Sequence, residues 1–145
     1  MLVWSDGVAY FLYSRSLVID FDTDLTNDYE SIASRYSSRA LESFEANLRY
    51  TPDGNRVLVP WPPGSGLVMA PFYAAGYAVE LLAASVSDRP PDTYGIIPQF
   101  FFGIGALAYG LLGFWATFYI CRDFANAGTA CFATLATFFA GTAVF

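Results

Sequence analysis

Three observations predict an all-α integral membrane chain whose outward-facing first part carries juxtamembrane helices. Ile96 to Ile120 runs 25 residues without a charge, enough for a bilayer-crossing helix, which takes about 20. Ala125 to Phe145 is a second apolar run. Hydrophobic residues make up 55% of the chain and charged residues 14%, against about a quarter charged in soluble domains. The charges crowd into the first half, so the second half has almost no polar face to present to water.

Taken in order, Ser5 and Asp6 are good N-cap residues, and Val8 to Val18 is expected as a helix. Its polar insert is only Ser14-Arg15-Ser16, too narrow for a helix solvated along one side, and the run is too short to span. A helix lying in the membrane interface, apolar side down, is the expectation. Asp20, Asp22, Asp24, Asp28 and Glu30 then form an acidic segment that must face water or a cation. Its spacing has the rhythm of a calcium loop, but Leu25 stands where the turn needs glycine and Ser31 where a bidentate glutamate belongs, so an EF-hand is not predicted.

Leu41, Phe44 and Leu48 recur at helical spacing, which predicts a short amphipathic helix over Ser38 to Tyr50. Thr51 to Asn55 reads as a turn that could join short strands at Leu48 to Thr51 and Arg56 to Val59. Pro60 to Gly66 breaks regular structure. Gly66 to Val86 has the length of a span but holds Pro71 and Glu80, and an unpaired acid at that depth costs about 2.5–3.5 kcal/mol; an interfacial or partly embedded helix is expected. Ser87 to Gly95 is an aqueous loop, and Cys121-Arg122-Asp123 a short polar connector between two spans. The expected organisation is an outer loop over 1–65, a second juxtamembrane helix and loop over 66–95, and two membrane helices over 96–145.

Seven arginines stand against thirteen acids, with no lysine or histidine, for a net charge of −6. Nucleic acid is excluded as a partner, since binding it needs a basic patch that displaces counterions. Cys121 and Cys131 supply neither a disulfide framework nor a four-ligand zinc site and are expected as buried thiols. Arg122 lies in the shortest loop, where the positive-inside bias is strongest, so the connector is assigned to the cytoplasm and 1–95 to the outer face of a multi-pass protein of the cell (inner) membrane. No basic and apolar leader precedes Asp6. Both ends read as cut, so the chain is expected to be a piece of a longer protein.

Asp6, then Tyr10 four positions on, Arg15 nine positions on, and Asp22 further along resemble the first outer loop of GT-C type membrane glycosyltransferases, the group of the protein O-mannosyltransferase-like family 39 enzymes and the aminoarabinose transferases. Phe21 stands where those proteins carry the glycine of a Gly-Asp pair, and Gly7 where they often carry a second acid. Pro62-Pro63-Gly64 is similar to their Pro-Pro-Leu-Gly segment. The resemblance implies transfer of a sugar from a polyprenyl-phosphate donor in the lipid bilayer to an acceptor at the outer face, with inversion. It implies Asp6 as general base, Arg15 or a divalent metal ion against the leaving phosphate, Tyr10 and Trp61 as substrate contacts, and Asp6 with Asp22 as the metal ligands. The sugar and the acceptor are left open.

Each of these residues also has a structural reading. Asp6 can be a helix cap and no more, Arg15 a snorkelling cation, Trp61 and Tyr73 members of an aromatic belt. The alternative function is a non-enzymatic membrane subunit or transporter segment whose acidic loop binds cations or a partner.

Overall fold

The computed structural model describes residues 6–36, 38–52, 54 and 56–142. Helix α1 (Asp6–Arg15) runs without a break into a π-helical turn, Ser16–Asp20, and is followed by α2 (Thr26–Arg35) and α3 (Ser38–Glu45). The antiparallel pair β1 (Arg49–Tyr50) and β2 (Val57–Leu58) leads to the long helices α4 (Gly64–Val86), α5 (Ile96–Phe124) and α6 (Ala127–Thr142). The chain is thus mainly helical, and the expected strand pair is present as a short ladder; Asp53 and Asn55 of the expected turn lie outside the described residues. Contacts gather Met1–Gly105 into one compact unit and Ala106–Phe145 into another, so the stretches 1–65 and 66–95 belong to one body.

In the first unit, α1 is the centre of the core rather than a helix at an interface. Val8, Ala9, Phe11, Leu12, Tyr13 and Ser14 are all buried, packed among Leu25, Ile32, Leu41, Phe44, Tyr73 and Phe102. A helix that is apolar nearly all round finds its lowest free energy enclosed on every side. Two edge-to-face ring pairs hold Phe11 between Tyr73 and Phe102, at 5.5 and 5.6 Å. At the start of α4, Gly66 lets α1 approach closely: a Cβ there would stand 2.4 Å from Tyr13 Cβ and 3.0 Å from the Tyr10 carbonyl oxygen. Ser14 Oγ seals the crossing by donating to the Gly66 carbonyl at 2.8 Å.

The acidic segment is not an open loop. Asp28 opens into α2 and is fully buried. Helix α3 ends at Glu45, short of the predicted Tyr50, because the chain must extend to pair Arg49 with Leu58. Beyond α4 the chain turns at 87–90 and returns along the helix. Glu80 takes Arg89 at 2.5 Å and the Asp92 N–H at 3.0 Å, and Tyr73 Oη donates to the Thr93 carbonyl at 2.8 Å. The acid that argued against α4 as a span is therefore paired. Two helices, α4 and α5, are long and apolar enough to cross a membrane.

The polar triplet Cys121-Arg122-Asp123 lies within α5, and the break falls at Ala125-Asn126, where Asn126 Oδ1 accepts from the Thr129 N–H at 3.0 Å and caps α6. The cysteines are not buried thiols: Cys121 is half-buried and Cys131 exposed, since the outward faces of these helices are apolar.

The α1–α4 crossing gives a direct test. Gly66→Ala is expected to cost about 1–3 kcal/mol, the usual penalty of overpacking. Gly113→Ala, where an added Cβ meets nothing within 4 Å, is expected to be neutral or to add up to about 1 kcal/mol of helix propensity. Thermal unfolding in detergent measures both.

Candidate functional site

The polar centre of the first unit is assembled from α1, the π turn, α2 and the 87–95 return. Arg15, the last residue of α1, directs Nη1 to the Asp20 carboxylate and, at 3.2 Å, to Asp28 Oδ1. The same Asp28 oxygen accepts from Tyr94 Oη at 3.1 Å. The Arg15 guanidinium lies over the Tyr94 ring at 4.9 Å, with that of Arg35 at 5.2 Å from the same ring. Tyr94 is fixed in turn: its N–H donates to Asp92 Oδ1, and its carbonyl accepts from Tyr36 Oη at 2.9 Å and Gln99 Nε2 at 2.7 Å. Arg35 closes the rim with a 2.6 Å bond to Asp92.

Two buried atoms in this cluster, Arg15 Nε and Asp28 Oδ2, have no hydrogen-bond partner among the described residues. Burial raises the Asp28 carboxyl to about 6, with Asp20 adding to the rise and Arg15 and Tyr94 opposing it. Burial, with the Asp28 charge beside it, pushes the Tyr94 hydroxyl up to about 12. A buried cation shared by two carboxylates is costly to desolvate and costlier to break.

The expected site residues do not converge in one place. Asp6 is exposed at the head of α1, and Tyr10, four positions on, shares its face. Arg15 lies nine positions from Asp6, about 2.5 turns on, hence on the opposite face and about 13 Å along the axis. It is occupied by Asp20 and Asp28, so the structure does not set it beside Asp6. Asp22 lies beyond the far end of the same helical stretch, and its carboxylate accepts from Ser16 Oγ at 2.6 Å and the Asp24 N–H at 3.1 Å. Asp6 and Asp22 are therefore not brought together as metal ligands. Among the described residues no group of three or more His, Cys, Asp or Glu side chains could hold a metal ion. Trp61 stacks on Phe44 at 6.0 Å and flanks the core.

Of the acids expected to face water or a cation, Asp22 and Glu30 are exposed, while Asp20, Asp24 and Asp28 are engaged within the chain. Asp24 bonds Thr26, which lowers its carboxyl below the usual range, and pairs with Arg56 at 3.3 Å. Asp20 also takes Asn27 Nδ2 at 3.0 Å. Asp28 and Tyr94 were not singled out in the sequence as partners of Arg15. The available signal was that Arg15 had to find an acid once α1 was too apolar to be solvated. Comparison with family models, curated proteins and solved structures finds no match to the chain.

Removing the buried cation is expected to cost far more than removing an exposed acid. Arg15→Met should lower stability by about 3–5 kcal/mol, because Asp28 is left uncompensated. Asp22→Ala, which loses a turn contact, should cost about 1 kcal/mol. Denaturant unfolding compares the two.

Proposed function

We propose that the chain is part of a membrane glycosyltransferase that moves a sugar from a polyprenyl-phosphate donor to an acceptor hydroxyl, with Asp6 as the general base. The observation that carries this reading is the meeting of α1 and α4 at Gly66. The exposed Asp6 and the half-buried Tyr10 lie on one face of a rigidly held helix, and the Tyr10 carbonyl borders the first turn of a helix of membrane-spanning length. The amides opening α4 at Gly64, Ser65 and Gly66 have no acceptors within the helix from a preceding turn. A helix start of this kind favours an anion, here the departing phosphate.

In this reading a carboxylate takes the proton of the attacking hydroxyl while the α4 N-terminus meets the charge that grows on the leaving oxygen. Arg15 serves as the internal anchor of α1. Two further features support the reading. Phe21, at the position where the resembled enzymes carry glycine, has φ 60°, the left-handed conformation glycine adopts freely. An apolar groove of about 510 Å³ lined by Val79, Ile96, Ile97, Phe100 and Phe101 offers a surface for a prenyl chain. The bilayer would then contain α5, with α4 at its outer face and Asp6 outside it. The alternative of an acidic cation-binding loop loses ground, because Asp20, Asp24 and Asp28 are paired within the chain.

The reading is tested with the protein that contains this chain, reconstituted in proteoliposomes with a polyprenyl-phosphate sugar pool. Asp6→Asn is expected to lower the transfer rate by about 10²–10⁴-fold with insertion intact, and Asp6→Glu to retain part of it. An unchanged rate in Asp6→Asn would reject the assignment.

A further inference from the structure

Helices α5 and α6 are joined by two residues, Ala125 and Asn126, so their ends nearest the break are held close. Their register is read from a hollow of about 130 Å³ between them, to which Thr117 of α5 and Thr134 of α6 both contribute. Cys121 lies four positions after Thr117, and Cys131 three positions before Thr134. Steps of four and three keep a residue on the same face of its helix, one turn along. In both helices that turn leads towards the break. The two cysteines are thus the next layer of the same contact, on facing sides of α5 and α6. Ala130, beside Cys131, is fully buried, so α6 is covered at this level. Cys131 is exposed and Cys121 half-buried. The adjoining Arg122 and Asp123 are exposed, which gives water-borne reagents access to this end.

We propose that Cys121 and Cys131 form a reversible disulfide that fastens α6 to α5, made by exchange with a small water-soluble disulfide such as oxidised glutathione. The accessible Cys131 thiolate attacks one sulfur of that molecule, forming a mixed disulfide and releasing one thiolate. The Cys121 thiolate then attacks the Cys131 sulfur and expels the second. The two cysteines together lose two electrons and two protons, and the small disulfide leaves as two thiols. A protein disulfide needs Cα atoms about 4.4–6.8 Å apart. Helices packed about 8–10 Å apart, with Cα atoms about 2.3 Å from each axis, bring facing positions into that range. Exposed disulfides are the readily reduced ones, so the link is undone by thiols. The site rests on neither Asp6 nor the proposed transfer reaction.

The intact protein in lipid nanodiscs, equilibrated with reduced and oxidised glutathione, provides the test. Wild type is expected to lose two hydrogens in mass, to yield a peptide cross-linked between Cys121 and Cys131, and to have both thiols closed to maleimide. Cys121→Ser is expected to stop at a single glutathionyl adduct on Cys131. The equilibrium constant for closure should be about tenfold larger in the folded protein than in guanidinium chloride, because the fold holds the two thiols together. Two free thiols in the wild type, glutathionyl adducts without closure, or a cross-link between two copies on a non-reducing gel would each overturn the proposal. Closure no more favoured in the folded protein than in the unfolded chain would do the same.

Discussion

The structure depends on a buried cation finding its counter-charge. Helix α1 is enclosed over most of Val8 to Ser14, and its strongly polar side chain near the core, Arg15, sits at the C-terminal end. A guanidinium cannot be left unpaired in such surroundings. Asp28 and Asp20 answer it from two other elements, and Tyr94 covers it with its ring. The requirement turns what reads as a solvated acidic loop into a helix with an inward-facing carboxylate. It also explains why the chain after α4 doubles back: Asp92, Thr93 and Tyr94 lie where Arg35, Tyr73 and Asp28 can reach them.

Much of the helical pattern was legible in the sequence. The uncharged run from Ile96, the Pro-Pro-Gly start of α4 and the turn at Thr51 to Asn55 all follow from local chemistry, because length, missing charge and backbone breakers are properties of neighbouring residues. Glu80 was ambiguous for the opposite reason. Whether an acid can sit in an apolar helix depends on a partner, and Arg89 approaches it only after the chain has reversed. The burial of α1 was half legible: its polar face was too small for water, yet a membrane interface and a protein core satisfy that condition equally.

The candidate site was less legible still. The spacing of Asp6, Tyr10 and Arg15 counts residues along the chain, whereas a site is built from positions around a helix. Nine positions set Arg15 half a turn away from Asp6, which divides the three residues between two environments. Asp6 and Tyr10 stay on one face, and the Tyr10 carbonyl borders the opening turn of α4. Arg15 becomes part of the scaffold that holds their helix still. Exposure and apolarity divide the same way: polar bonds converge on the inner side of the first unit, while α4 and α5 turn side chains such as Leu67, Leu82, Ile96 and Trp115 outward.

The central claim is that Arg15 and Asp28 form one energetic unit that ties α1 to α2. A double-mutant cycle on unfolding free energy, with Arg15→Met, Asp28→Leu and the pair together, measures it most directly. The account predicts that the double variant is more stable than the sum of the two losses implies, by roughly 2–3 kcal/mol, since removing both charges leaves neither one stranded. Additive losses, with a coupling within about 0.5 kcal/mol of zero, would contradict it.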